Sequence, residues 1–148
     1  MTPSLDVQTE LLLRLVIATM LGAVVGCERE RGGKPVGVRT QGLVSLGAAL
    51  FTVVSVHGFD GVGDPSRVAA QIVTGIGFLA AGLILQQRRR VRGLTTAASL
   101  WVTAAIGMAV GVGWIGLSLA TTVLVFLLLR FGPRPRRRAQ APQTGRET

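Results

Sequence analysis

Long apolar runs separated by short charged segments form the pattern of this chain. No charged residue occurs in 15–27, 40–59, 68–87 or 93–129. A helix needs about 20 apolar residues to cross the hydrocarbon core of a bilayer. The second and third runs therefore fit one helix each. The first run extends back past Arg14, whose long side chain can reach the interface from near a helix end.

The fourth run is too long for one membrane-spanning helix. At about 1.5 Å per residue it would extend roughly 55 Å, against about 30 Å for the hydrocarbon core. A turn at Gly111–Trp114 is expected to divide it. The pattern therefore predicts an all-α, polytopic membrane protein with five transmembrane helices. Their predicted bounds are 8–26, 40–57, 66–86, 94–111 and 114–131.

The composition and the charge distribution agree with a membrane protein. Hydrophobic residues make up 49% and charged residues 16% of the 148 residues, whereas soluble domains average about 25% charged. Basic blocks at 27–39, 87–93 and 130–146 alternate with segments that have few basic residues. The positive-inside rule then places the N-terminus outside and the C-terminus in the cytoplasm. Residues 1–131 form the predicted transmembrane domain, and 132–148 a disordered, basic cytoplasmic tail.

The densest polar segment, 28–40, mixes both signs of charge and is the first candidate site. One interpretation is a solvated loop in which the carboxylates soften the positive charge; the other is a compact ion-pair network at the inner face. Pro35 and Gly37 impose a specific backbone geometry, which a loop needing only positive charge would not require. The candidate residues at this inner face are Glu28, Arg29, Glu30, Lys34, Arg39 and Thr40.

Small and polar residues in the apolar runs form a second group of candidates. Gly22-x3-Gly26 and Gly107-x3-Gly111 are spacings typical of close helix packing. In the third helix, glycines either serve such packing or line a locally unwound transport site. The candidate residues of the third helix are Asp64 and Arg67, as an outer cap, with Gln71, Gly75 and Gly77.

The fourth helix begins at the same predicted membrane face as the charged segment. Its first residues are therefore expected to lie near that segment. The candidates are Thr95, Thr96 and Ser99. No metal-ligand set is assigned, because His57, Asp60 and Asp64 are as well explained as polar residues of an external loop as by a weak cation site.

Three other classes of protein are weighed against this interpretation. Val24–Cys27 resembles a lipoprotein cleavage box, but the preceding N-terminal segment is acidic, whereas a secretory signal has a basic one.

The basic block 87–93 is expected to attract anionic lipid headgroups. It lacks the interleaved aromatic residues of a nucleic-acid platform, so no nucleic-acid partner is expected. The chain has one Cys and one His and offers no nucleophile–base pair, so no enzyme, catalytic residue or cofactor is predicted.

Four segments carry a resemblance to a known family. They read GAVVGCERE at 22–30, KPVGVRT at 34–40, DPxRVAAQIVxGIGFL at 64–79 and GLTTAASLW at 93–101. In this order and spacing, over about residues 10–130, they resemble the signature of the MgtC/SapB family.

The chain departs from the family pattern at two positions and at its C-terminal end. Ala80 stands where the family often has Gly, and Gln41 where it often has His, so proton sensing at position 41 is not expected. Many members carry a soluble ACT-like domain after the last helix. Here a short arginine-rich tail follows, and we expect a short form without that domain.

The resemblance implies a multi-pass protein of the bacterial inner membrane that is linked to adaptation to low magnesium and, in pathogens, to survival inside host cells. Members of the family are viewed as modulators of other membrane proteins, ATP synthase among them. The leading hypothesis is accordingly a regulator that binds other membrane proteins. The alternative is a transporter or channel for Mg²⁺ or another small solute, with its site on the third helix at Gln71 and with a homo-oligomer as one arrangement.

Overall fold

The computed structural model describes residues 4–59, 63–87 and 90–132, which form five helices and one short β-ribbon. The predicted helical architecture is confirmed, with the short β-ribbon as the exception. The predicted tail from residue 133 onward, together with Asp60, Arg88 and Arg89, lies outside the described residues. The helices are α1 (Leu5–Arg31), α2 (Val38–His57), α3 (Ser66–Ala81), α4 (Leu94–Val112) and α5 (Ile115–Phe131).

The first helix is longer than predicted and ends where glycine permits a tight turn. Its last turn carries Glu28 and Arg29, which are buried against the rest of the bundle. Gly32 closes the helix by donating its N–H to the carbonyl of Glu28, and Gly33 follows with φ +64°. Since only glycine adopts this left-handed conformation without steric cost, the chain turns here rather than continuing as helix.

The expected turn between the fourth and fifth helices is confirmed. Gly113 has φ +102° and donates its N–H to the carbonyl of Val110. The N–H of Trp114 donates to the carbonyl of Ala109. These two hydrogen bonds pair carbonyls that the end of α4 would otherwise leave unpaired.

The prediction for the end of the third helix is wrong, because α3 ends at Ala81 and not at residue 86. Residues Leu85–Gln87 and Arg90–Arg92 instead pair as antiparallel strands, β1 and β2. Gly93 has φ +90°, and the carbonyl of Leu83 occupies the position that a Cβ atom at Gly93 would take. The apolar pattern could not reveal this reversal, because strand pairing satisfies the backbone groups just as a helix would.

The outer surface of the bundle is apolar. Three helices, α1, α2 and α4, are long and apolar enough to cross a membrane. The other two are shorter apolar helices; α3 has 16 residues, which corresponds to about 24 Å. Large apolar side chains on all faces are exposed, which is typical of contact with lipid rather than with water. Examples are Leu13, Met20, Leu43, Phe51, Phe78, Leu124 and Leu128.

The centre of the bundle is built around α2, which packs between α1 and α4. Glycines make this close approach possible. A Cβ atom at Gly22 would lie 2.6 Å from the carbonyl oxygen of Gln41, and one at Gly111 would lie 2.8 Å from that of Ala49. At Gly107 a Cβ atom would collide with the carbonyl of Ser45. The two predicted glycine pairs therefore serve packing within one chain, as expected.

The remaining helices lie at the periphery and define two apolar clusters. In one cluster, α5 covers α1 and α4 around Ala18, Val25 and Ile106. In the other, α3 packs against α4 around Ile76 and Leu100. α3 touches α2 far less than it touches α4, so a groove remains between α2 and α3.

Candidate functional site

A buried arginine joins the end of α1 to the beginning of α4. Arg29 is 5% exposed, and its Nη2 donates a hydrogen bond of 2.6 Å to Oγ1 of Thr96. Thr96 lies in the first turn of α4, where the helix dipole is positive. The expected proximity of the charged segment and the fourth helix is therefore realised through these two residues.

The hydrogen-bonded path continues from α4 to α2. Ser99 donates from Oγ to the carbonyl of Thr96 at 2.8 Å and accepts a bond of 3.1 Å from Nε2 of Gln41. Gln41 is fully buried. We call these four residues, Arg29, Thr96, Ser99 and Gln41, the polar chain. It connects three helices in the part of the bundle where the glycine contacts are closest.

Some buried polar atoms near the centre have no hydrogen-bond partner within the described part of the chain. These atoms are Nε of Arg29, Oε1 of Gln41, Oγ of Ser45 and Oγ1 of Thr103. Other helix hydroxyls, such as that of Thr52, donate to the carbonyl four residues earlier. Since a buried unpaired polar atom costs about 1–3 kcal/mol, such atoms are uncommon in packed interiors. Their residues belong to α1, α2 and α4, the three helices that pack most closely.

The charged segment is folded back on α1, but not by ion pairs. Oε2 of Glu30 lies 3.3 Å from the N–H of Val38, from which it accepts a hydrogen bond. Gly26 packs directly against the backbone at Val38, and Lys34 donates its N–H to the carbonyl of Arg29. Within residues 4–59, 63–87 and 90–132 the ion pair found joins Arg14 and Glu10, at the opposite end of α1. Of the two interpretations of this segment, the ion-pair network is therefore not what orders it.

The same segment borders an open polar cavity of about 630 Å³. Its lining includes Glu30 and Gly37, together with the exposed residues Lys34, Arg39 and Thr40. Four of the six predicted inner-face residues thus surround one cavity, whereas Glu28 and Arg29 are turned into the bundle.

The predicted outer cap of the third helix depends on Asp64. Its Oδ1 accepts from the N–H of Ser66 at 2.9 Å, and its Oδ2 accepts from the hydroxyl of Ser66 at 2.7 Å. These bonds hold the pKa of Asp64 below its usual value, because they favour the charged carboxylate. The hydroxyl of Ser66 contributes most, and its backbone N–H contributes second. Arg67 is exposed and forms no ion pair with Asp64.

The other candidates on α3 do not join the inner-face residues. Gln71 and Gly75 line the groove between α2 and α3, a cavity of about 580 Å³. Gly77 faces open space. Thr95, at the beginning of α4, is exposed and lies outside the polar chain. The predicted site residues are therefore distributed over the polar chain, the polar cavity and the groove.

Sequence reasoning missed four residues that the structure brings into prominence. Gln41 and Ser45 are spaced i,i+4 on the face of α2 that meets Gly22 and Gly107. Thr103 continues from Ser99 with the same spacing. These two i,i+4 pairs of polar residues in apolar helices were the available signal, because such pairs lie on one helix face.

The fourth residue, Arg14, links α1 to the turn between α4 and α5. Its Nη1 donates to the carbonyl of Gly111 at 3.0 Å, while Nη2 binds Glu10. A charged donor thereby pairs a carbonyl at the end of α4, where the helix dipole is negative. The sequence indicated that Arg14 reaches the interface and that Glu10 lies at the favourable i,i+4 spacing, but not that Arg14 binds the end of α4.

No group of three or more His, Cys, Asp or Glu residues that could hold a metal ion occurs in the part of the chain that the structure describes. The weak external cation site considered from the sequence involves Asp60, which lies outside that part. Cys27 is half-buried and unpaired by any disulfide.

The five apolar helices and the glycine-mediated packing define a helical membrane protein. The chain belongs to the MgtC family, whose model matches residues 15–138. No solved structure matches it.

Three relatives illustrate the match. The putative magnesium transporter YhiD of Escherichia coli K12 is 47% identical over 127 residues, covering 81% of this chain and 59% of YhiD. Protein SrpB of Synechococcus elongatus is 43% identical over 129 residues, covering 78% and 71%. Protein MgtC of Salmonella typhimurium LT2 is 44% identical over 122 residues, covering 80% and 52%. The chain thus spans only 59% of YhiD and 52% of MgtC.

Proposed function

We propose that the chain is a non-catalytic, multi-pass protein of the bacterial inner membrane that serves magnesium homeostasis by binding other membrane proteins. The observation that carries this proposal is the ordered cationic surface beside the polar cavity. Lys34 and Arg39 are exposed and form no ion pair with any described carboxylate. Glu30 and Gly26 hold their backbone in place. Unpaired cations on an ordered backbone suit recognition of a partner, whereas topology alone requires only positive charge.

The proposed topology has five crossings, with the N-terminus outside and the C-terminus in the cytoplasm. The end of α1 and the beginnings of α2 and α4 lie together at one end of the bundle, as the Arg29–Thr96 bond and the Gly26–Val38 contact require. This end carries the basic residues, so the positive-inside rule makes it cytoplasmic. A partner would then meet the cationic surface from the cytoplasmic side of the membrane.

The relatives support the link to magnesium. One is named a putative magnesium transporter, and others are named MgtC. Both a regulator and a transporter could serve magnesium homeostasis. The two functions require different parts of the molecule, which makes them separable by substitution.

A transporter is the second candidate, and one observation favours it. The unpartnered oxygens of Gln41, Ser45 and Thr103 lie at the centre of the bundle, between α1, α2 and α4. Magnesium prefers oxygen ligands. If the chain transports a cation, these residues are better candidates for its path than Gln71, which faces the outer groove.

The substitution Thr103→Val separates the two candidates. It removes an unpartnered hydroxyl at nearly constant shape, so the fold should keep its stability. Two readouts are needed: growth of a deletion strain at low magnesium with the variant as the only copy, and Mg²⁺ flux into liposomes containing the purified chain. A regulator keeps full growth complementation with Thr103→Val and shows no flux. A transporter shows saturable flux, and Thr103→Val reduces both flux and growth.

The matched control is Thr122→Val, because Thr122 is equally buried but already donates to the carbonyl of Ser118. Glu30→Ala tests the cationic surface itself, with Glu10→Ala as the control carboxylate at the other end of α1. We expect Glu30→Ala to abolish growth complementation at normal protein levels. Normal growth of that variant would overturn the regulator proposal.

A further inference from the structure

The groove between α2 and α3 is open along the length of both helices. Its apolar lining comes from both sides, and its volume is about 580 Å³. Gly47 on α2 and Gly75 on α3 line it, and no atom lies within 4 Å of the position that a Cβ atom would take at either one. The groove is therefore unfilled by the chain's own side chains. Its principal apolar residues are Leu43, Phe51, Ile72, Ile76 and Leu79.

The polar cavity of the charged segment adjoins this groove. Thr40, in the first turn of α2, lines both of them. The apolar groove and the polar cavity of about 630 Å³ therefore meet at this residue, at the basic end of the bundle. A molecule that filled both would have to be amphiphilic, with its polar part beside the first turn of α2.

The charges of the polar cavity select an anion. Lys34, Arg39 and Glu30 all line it, so its lining carries two cations and one carboxylate. Glu30 is already engaged with the N–H of Val38, whereas neither cation forms an ion pair with a described residue. The beginning of α2 adds the positive end of a helix dipole. An anionic group therefore completes the charge balance of this cavity.

We propose that these two adjoining cavities bind one anionic phospholipid, with an acyl chain in the α2–α3 groove and the headgroup phosphate between Lys34 and Arg39. The charge complementarity at one end and the apolar lining at the other favour this occupant over a zwitterionic lipid. The site shares Lys34 and Arg39 with the proposed partner-binding surface, but lipid binding does not require either the regulator or the transporter function. Lipid binding to the purified chain is also measured separately from growth and flux, so the two proposals can fail separately.

The test uses the full chain purified in mild detergent, with bound lipid measured by native mass spectrometry. The probes are phosphatidylglycerol, phosphatidylcholine with the same acyl chains, and soluble glycerol phosphate. We expect one retained phosphatidylglycerol per chain and clearly weaker retention of phosphatidylcholine. Glycerol phosphate alone should bind much more weakly, because it lacks the acyl chain that occupies the groove.

Two sets of variants, each with a control, locate the site. In the first set, Lys34→Gln and Arg39→Gln should each weaken phosphatidylglycerol binding about fivefold, from roughly 1 kcal/mol per basic residue. The control Arg31→Gln, outside both cavities, should not weaken it.

In the second set, Gly75→Leu should fill the groove and displace the lipid. Gly116→Leu also adds a side chain in open space, but on α5, and should leave binding unchanged. Monodispersity and thermal unfolding without lipid verify that each variant is folded, and Gly47→Leu is the second groove variant should Gly75→Leu fail.

Three results would overturn the proposal. Equal retention of phosphatidylcholine would remove the role of the two cations. Glycerol phosphate binding as tightly as the lipid would reduce the site to the polar cavity alone. A Gly75→Leu variant that keeps its lipid but changes its association state would show that a second copy, and not a lipid, fills the groove.

Discussion

The two sides of α2 use glycine in opposite ways. Toward α1 and α4, Gly22 and Gly107 bring backbones so close that a side chain at either position would collide with α2. Toward α3, Gly47 and Gly75 face a groove with open space beyond them. We call these the closed side and the open side of α2. A small residue in a membrane helix therefore does not by itself indicate whether another helix packs against it.

The polar residues follow the same division. On the closed side, Gln41 and Ser45 are fully buried, and Gln41 belongs to the polar chain that ties three helices together. On the open side, Thr40 and Gln71 are the polar residues that line the groove, and both are exposed. Close packing and buried hydrogen bonds are thus concentrated at the α1–α2–α4 interface. The open side is left available for a lipid or a partner.

The largest effect is expected from filling the closed side. Gly107→Leu places a side chain against the carbonyl of Ser45. The backbone of α2 cannot easily move away from it. Overpacking of this kind should cost about 3 kcal/mol or more. We expect little monodisperse protein in detergent, measured by size-exclusion chromatography. The same substitution at Gly77, where space is open, should leave yield and thermal unfolding unchanged; equal losses would remove the distinction between the two sides.

The polar chain should be next in importance. Gln41→Ala leaves a cavity and removes the bond to Ser99, so we expect a loss of about 2 kcal/mol in the free energy of unfolding. Gln41→Met keeps most of the volume and also removes the unpartnered Oε1, so its loss should be under about 1 kcal/mol. Chemical unfolding followed by circular dichroism measures both. If the Met variant loses as much stability as the Ala variant, hydrogen bonding rather than packing holds the closed side.

The outer end of the closed side depends on Arg14. Arg14→Met removes the charged hydrogen bond to the carbonyl of Gly111 and should cost about 1–2 kcal/mol. Glu10→Gln removes only the carboxylate of an ion pair at the surface, and we expect a loss below about 0.5 kcal/mol. Thermal unfolding in one detergent compares the two. Similar losses would show that Arg14 acts through Glu10 rather than through the α4–α5 turn.

The smallest effect is expected at the beginning of α3, on the open side. The pKa of Asp64 is lowered in the folded chain by the hydrogen bonds from Ser66. Its contribution to stability is therefore fully present above the ordinary pKa of about 3.9 and is lost as the pH falls through the lowered value. The unfolding temperature of the parent chain should decline slightly more below about pH 4 than that of Asp64→Ala. Parallel pH curves would contradict this assignment.

Much of the fold could be predicted because the apolar runs are local features of the chain. The turn at Gly113 followed from the length of one run, and the packing role of Gly22 and Gly107 from their spacing. The end of α3 could not be predicted, because residues 82–85 contain no polar side chain and continue the apolar run of the helix before them. The chain reverses direction after α3 because β1 and β2 pair antiparallel and because Gly93 adopts a positive φ.

The candidate site was predictable only in part. The segment around Lys34 and Arg39 stood out by its mixed charges, and the contact between Arg29 and Thr96 agrees with the shared membrane face. The i,i+4 spacing of Gln41 and Ser45 indicated a shared polar face, but not the hydrogen-bond partner of Gln41, because that partner is defined only once the helices are packed. Its partner Ser99 lies 58 positions away.

The sequence by itself determined that this chain is a helical membrane protein with a basic end, because hydropathy and charge act residue by residue on each segment's preference for lipid or water. Only the tertiary structure decided which glycines have another helix packed against them, which hydroxyls lack hydrogen-bond partners and where an apolar groove meets unpaired cations. Those properties belong to surfaces assembled from several helices. Their energies depend on contacts between residues far apart in the chain, to which no local pattern is sensitive.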